Sequence, residues 1–114
     1  MIAPISDGTE VEILNQYVGH FKFSGYIFGN VSLAAHNRGY PVNYFENLKY
    51  LKIGDKIIYE YKDLELTYKI SNIKIINDTD VEVVKNTKEN KITLITCVEN
   101  KPEKRRCIQA KLVI

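Results

Sequence analysis

A chain of 114 residues, 45% apolar and 26% charged, has ordinary globular composition and room for one domain, which excludes disorder, collagen and coiled coil. Sixteen basic against 14 acidic side chains leave a formal charge of +2, too small an excess for the basic face that nucleic-acid binding requires. No apolar run exceeds three residues, so the sequence holds no transmembrane helix or signal-peptide core and is expected to be soluble as written.

The residues read mostly as strands, because tyrosine, valine, isoleucine and threonine are abundant and alanine is scarce. Ser6-Asp7-Gly8 reads as a turn. Thr9 and Glu12 have capping-box spacing and predict a short helix over Thr9–Asn15. A strand from Asn30 to Ala35 leads to His36, and Asn37–Pro41 is a loop. Asn43 with Glu46 repeats the capping-box pattern and predicts a second short helix through about Lys49. After a turn at Gly54-Asp55, Lys56–Tyr61 is a strand. The two-residue link Lys62-Asp63 joins it to Leu64–Ile76 as a hairpin. Alternation along that partner shifts phase near Ser71-Asn72, which predicts a bulge. Asn77–Asp80 is a turn, Val81–Val84 a short extended piece and Lys85–Asn90 a polar loop. Ile92–Cys97 is a strand, Val98–Lys104 a loop and Arg105–Ile114 the last strand. Many short strands with two brief helices predict a mainly β fold, a closed mixed β-barrel.

Few residues offer chemistry. The two cysteines, Cys97 and Cys107, cannot form a multi-bridge scaffold or a zinc site alone, and their spacing matches no metal motif. Cys107 sits within a strand and reads as core. Cys97 ends a β-branched run and precedes a polar loop. It reads equally as a reactive thiol and as a small buried hydrophobe. His36 also ends a strand. A lone loop histidine is usually solvated, but a cysteine enzyme needs a histidine near in space, and two strand ends on one rim supply that. If 92–97 pairs antiparallel with 105–114, Arg105 lies opposite Cys97, where a fixed cation favours an oxyanion. Arg106 then points to the other face. His20 has no second ligand nearby and reads as packed or surface.

Thr93-Leu94-Ile95-Thr96-Cys97 reads TLITC and resembles the segment around the sortase nucleophile. Leu33-Ala34-Ala35-His36 resembles the sortase histidine strand, and Glu103-Lys104-Arg105-Arg106 the arginine strand. Tyr44–Lys49 and Thr79-Asp80-Val81 are similar to class A sortases in order and spacing. The likeness runs from about Leu14 to Ala110. It implies one sortase catalytic domain over 1–114, folded as a sortase-like closed barrel, with the membrane anchor and part of the first strand absent.

The resemblance also implies a cysteine transpeptidase that cleaves an LPxTG-like motif between Thr and Gly through a thioester. The acyl group then passes to an amine of the cell wall. Cys97 is the nucleophile, His36 the acid–base and Arg105 the oxyanion partner, with Arg106 second. Val83, Val84 and Thr96 are the expected substrate contacts. The implied partners are surface proteins bearing a C-terminal sorting motif and a peptidoglycan-precursor amine, with no nucleic acid. The implied place is the extracytoplasmic face of a Gram-positive membrane, reached only through an anchor this chain lacks. A non-catalytic module of the same shape and a thiol hydrolase are the alternatives. No cofactor or metal is expected. Calcium-dependent class A relatives take ligands from a loop that corresponds here to about Gly19–Gly29, and this one holds no carboxylate.

Overall fold

The computed structural model describes residues 2–113. Its strands are β1 (Ile5–Asp7), β2 (Val18–His20), β3 (Asn30–Ala34), β4 (Lys56–Tyr61), β5 (Leu64–Asn77), β6 (Lys91–Val98) and β7 (Lys101–Leu112). They form one sheet in the order β1-β2-β3-β6-β7-β5-β4. The sheet curls into a half-barrel and does not close, so the expected closed barrel is corrected to an open one. Between the free edges β1 and β4 lies a groove of about 970 Å³, walled by Ile5, Leu33, Ile57, Tyr59, Tyr61 and Leu94. The accessible surface of 6984 Å² accordingly exceeds the roughly 6,400 Å² that scaling assigns to a closed globule of this size.

Alternation gives the sheet two faces. The concave face carries the main core, including Val31, Leu33, Ile92, Leu94, Ile108 and Ala110, closed at one end by Phe45 and Leu48. The convex face carries a second cluster in which Val84, Ile95 and Cys107 pack with Phe21, Ala34, Ile76 and Val83. The hairpin β4–β5 turns at Lys62-Asp63, with Tyr61 paired to Leu64 as expected. The bulge also falls where the phase shift puts it. Ile70 pairs with Ala110 and Asn72 with Gln109, which leaves Ser71 over. That extra residue returns Ile73 to the concave face opposite Ile108.

Five local expectations are corrected. Ile5–Asp7 is a strand, and the chain swings away only at Gly8 (φ 100°), whose N–H donates to the His20 carbonyl at 2.8 Å. Pinning there delays the helix α1 to Val11–Leu14, with Glu10 rather than Thr9 at its cap and no side-chain capping bond. The second capping box also fails. Asn43 bonds the backbone of Tyr40 instead, and only a 3-10 turn over Leu48–Tyr50 follows.

The segment Val81–Val84 is a 3-10 helix, not extended. Val81 and Glu82 are exposed while the next two residues, Val83 and Val84, both turn toward the convex cluster, a run of two outward and two inward positions that strand alternation does not give. Burying a valine contributes about 1.5–3 kcal/mol, enough to select the coiled form. Finally, the loop expected over Val98–Lys104 shrinks to Glu99-Asn100, with Asn100 at φ 61°. Val98 pairs with Lys101, the β6 ladder is then interrupted, and it resumes at Cys97 opposite Arg105. Pro102, which has no N–H to donate, falls in the interruption.

Candidate active site

The parallel pairing of β3 with β6 brings the histidine and the cysteine together. Ala34 pairs with Ile95, so His36 and Cys97 each lie two residues further along neighbouring strands. Such strands run about 4.8 Å apart. Beyond the ladder the Ala35 N–H still donates to the Ile95 carbonyl at 3.3 Å. Thr96 donates its hydroxyl to the Ala35 carbonyl at 2.7 Å, and the Asn37 side-chain amide donates to the Cys97 carbonyl at 2.8 Å. These bonds hold the histidine segment against the cysteine segment on both sides of His36.

Ala34 and Ile95 belong to the convex cluster, so alternation sends His36 and Cys97 to that face as well. The Cys97 thiol is free and exposed. His36 is half-buried, and burial holds its pKa below the ordinary histidine value. The Tyr40 ring lies against the imidazole, with centroids 3.6 Å apart and planes 7° apart.

The convex position of Cys107 gives the same face to Arg105, two residues before it, and the opposite face to Arg106. Arg105 is the direct ladder partner of Cys97. One guanidinium nitrogen of Arg105 donates to the Pro102 and Lys104 carbonyls, both at 2.8 Å, and fastens the irregular start of β7. Arg106 instead helps wall a cavity of about 160 Å³ that also touches Asn37, Phe45, Thr96 and Cys97. Both arginines therefore come near the hairpin end, but only Arg105 shares the exposed face of Cys97. Further out, Glu99 pairs with Arg38 at 3.7 Å and Lys49 at 3.5 Å, linking the cysteine hairpin to the loop after His36.

Val83 and Val84 reach the same convex cluster as Ile95 and Ala34. Ala34 and Ile95 precede His36 and Cys97 by two positions each, so this cluster lies next to them along β3 and β6. Asn30 holds this segment in place. Its side-chain amide donates to the carbonyls of Val83 (2.8 Å) and Lys85 (2.9 Å), its carbonyl accepts from Thr93, and its N–H donates to Asn86. Thr96 is 4% exposed and donates its hydroxyl to the Ala35 carbonyl, so it joins the two site strands, and it lines the cavity of about 160 Å³ together with Cys97. Among the described residues no group of three or more His, Cys, Asp and Glu is placed to hold a metal ion. No described helix is long and apolar enough to cross a membrane.

Sequence reasoning missed Asn30, Asn37 and Tyr40. Each lies near a residue it did single out, but their partners are set by strand pairing and loop return, which carry no local pattern.

A curled β-sheet with cysteine, histidine and arginine at one end of adjacent strands defines a class of protein that comparison with known chains makes specific. The Sortase domain family model matches residues 1–113, and the chain belongs to the sortase family. It is 34% identical over 82 residues to Sortase A of Bacillus anthracis, a match covering 72% of this chain and 39% of that protein. It is 33% identical over 86 residues to a putative sortase, YwpE, of Bacillus subtilis, covering 75% of this chain and 84% of that one. A Clostridium perfringens Sortase D5 transpeptidase superposes with a TM-score of 0.85 at 28% identity, over 96% of this chain and 70% of that one. Sortase C-1 of Streptococcus pneumoniae superposes at 0.90 with 23% identity, over 98% of this chain and 60% of that one, a likeness of fold. The matched part of Bacillus anthracis Sortase A is thus about two fifths of its length.

Proposed function

We propose that this chain is a cysteine transpeptidase acting on an LPxTG-like sorting motif. The observation that carries the reading is the pairing that brings His36 and Arg105 beside the exposed Cys97 on one face. The Cys97 thiolate attacks the carbonyl of the motif threonine. Arg105 and backbone N–H groups stabilise the oxyanion that forms. The intermediate collapses, the C–N bond to glycine breaks, and His36 delivers a proton to the departing amine. The product is a thioester on Cys97. An incoming amine attacks that thioester, His36 takes its proton, and the thiolate leaves. Dividing the transfer in this way replaces one difficult step with two easier ones.

Val83 and Val84 supply apolar contact to the motif leucine and proline, beside Ala34 and Ile95. Thr96 acts indirectly, by holding the cysteine strand to the histidine segment. The protein substrates are surface proteins ending in such a motif. The acceptor is a cell-wall precursor amine, and the reaction belongs at the outer face of a Gram-positive membrane. Similarity to a protein described as a transpeptidase supports transfer over hydrolysis.

The test is cleavage of a sorting peptide with and without an added amine. The wild-type chain should release the fragment after threonine and join the threonine end to the amine. Cys97→Ala should do neither. Undiminished turnover in Cys97→Ala ends the proposal, and release without joining identifies a thiol hydrolase instead.

A further inference from the structure

The loop after β3 is built to lay one aromatic ring on His36. Gly39 takes a left-handed turn (φ 78°) that reverses the chain. Asn43 then grips Tyr40 from both sides. It accepts from the Tyr40 N–H at 3.3 Å and donates to the Tyr40 carbonyl at 2.8 Å. Two residues on, the Phe45 N–H donates to the His36 carbonyl at 3.1 Å, and the Phe45 ring is buried in the core at 3% exposure. The loop is thus fastened at the residue that it covers.

The result is a close face-to-face contact, with centroids at 3.6 Å and planes 7° apart. Aromatic pairs more often sit offset or edge-on at about 4.5–7 Å. The His36 Nε2 is buried and has no hydrogen-bond partner among the described residues. A buried polar atom without a partner is unfavourable, so it points to a functional demand at that position. The outer side of Tyr40 faces solvent, with 54% of the residue exposed. Its ring therefore acts as a cover rather than as part of the core.

We infer that Tyr40 is a positioning residue for His36, fixing the plane of the imidazole and keeping water from Nε2 so that this nitrogen is reserved for a group brought by the substrate. The inference rests on the reading of His36 as the acid–base. Burial alone accounts for the lowered His36 pKa. The charged and titratable groups at this end of the sheet are Arg38 on the same loop, Glu46 and Lys49 beyond it, and Cys97, Glu99, Arg105 and Arg106 on the β6–β7 hairpin. Arg38 and Lys49 each pair with Glu99. Removing the ring admits water to the imidazole, so the His36 titration should move up toward its ordinary value.

The experiment follows both histidines of the full chain by NMR as pH is varied, for the wild type, Tyr40→Phe, Tyr40→Leu, Tyr40→Ala and Asn43→Ala. The Phe variant should keep the His36 midpoint. The Ala variant and Asn43→Ala should raise it by roughly half a pH unit or more, with Leu between. The His20 ring signals, held by bonds to Asp7 and Gly25 away from this loop, should keep the same positions at a given pH in all five and report an intact fold. With a sorting peptide, Tyr40→Ala should lower kcat about tenfold and leave KM unchanged. A wild-type His36 midpoint in either Tyr40→Ala or Tyr40→Leu, with His20 unmoved, overturns the inference. The titration does not require turnover. If the wild-type chain cleaves no sorting peptide, the transpeptidase reading fails, and the midpoints still decide whether Tyr40 shields His36.

Discussion

Arg105 stands directly opposite Cys97 in the β6–β7 ladder, while Arg106 stands opposite the buried Thr96. One step along a strand changes the face, so two adjacent arginines of like charge have different surroundings. Arg105→Ala should lower kcat for a sorting peptide about 10²–10³-fold, the loss typical of a missing oxyanion donor. Arg105→Lys should recover part of it, because the charge remains and the planar fork does not. Arg106→Ala should stay within a few-fold of wild type. Steady-state kinetics on the three variants checks this, and the reverse order would move the role to Arg106.

The two thiols should differ sharply in reactivity. Cys97 is exposed, whereas Cys107 has no exposure and burial pushes its thiol up to about 11. The thiolate is the reactive form, so Cys107 is both hidden and protonated near neutral pH. Iodoacetamide should add one label to the native chain, located at Cys97 by peptide mass spectrometry, and two after denaturation.

Burial of His36 also gives stability a pH dependence. Its pKa is below the ordinary 6.5 in the folded chain, so the unfolded chain binds the proton first. Stability is therefore undiminished above about 6.5, falls as pH drops through that value, and levels off below the folded midpoint. Urea titrations at several pH values should show this fall, and His36→Asn should flatten it. An equal slope in both proteins would mean that His36 is not the group involved.

Asn30 is fully buried and ties the Val81–Val84 helix to β3 and β6. Asn30→Ala leaves two carbonyls and the Thr93 hydroxyl without this partner. A loss of about 2–3 kcal/mol in urea unfolding is expected. Because the same bonds hold Val83 and Val84, KM for the sorting peptide should rise as well. Val83→Asp should raise KM while the fold survives. An unchanged KM there would remove Val83 from the substrate surface.

Calcium should leave turnover unaltered. The segment from Gly19 to Gly29 has no acid, and the facing loop contributes Lys85 and Asn86. Such an ion takes about six to eight oxygen ligands, commonly several of them carboxylates. Equal rates in chelator and in calcium at millimolar concentration are expected, and a rise of several-fold reversed by chelation would contradict it.

The parts of this fold legible in the sequence are those where one local rule decides. The Lys62-Asp63 link, the Ser71 bulge and the opposition of Cys97 and Arg105 all follow from counting in twos along strands. Local rules failed where distant contacts competed with them. Thr9 has the spacing of a cap, but the bond from Gly8 to His20 draws the chain into the sheet first. Asn43 also has cap spacing, and the returning loop gives it Tyr40 instead. Val81–Val84 coils because Val84 finds Ile95 and Cys107, residues far along the chain. The open edge between β1 and β4 depends on how seven strands curl together, which no segment shows by itself. For the candidate site, Cys97, His36 and Arg105 were visible as residues at strand ends. Asn37 and Tyr40 were not, because each depends on a contact made only when the loop folds back.

The central claim is that Cys97 becomes acylated by a sorting motif, and intact-protein mass spectrometry reads that state directly. The wild-type chain mixed with an LPxTG peptide and stopped in acid should gain the mass of the fragment ending in threonine. The adduct should be on Cys97, be released by hydroxylamine and be absent from Cys97→Ala. Cleavage of the peptide with no such adduct, or an identical adduct on Cys97→Ala, would contradict the account.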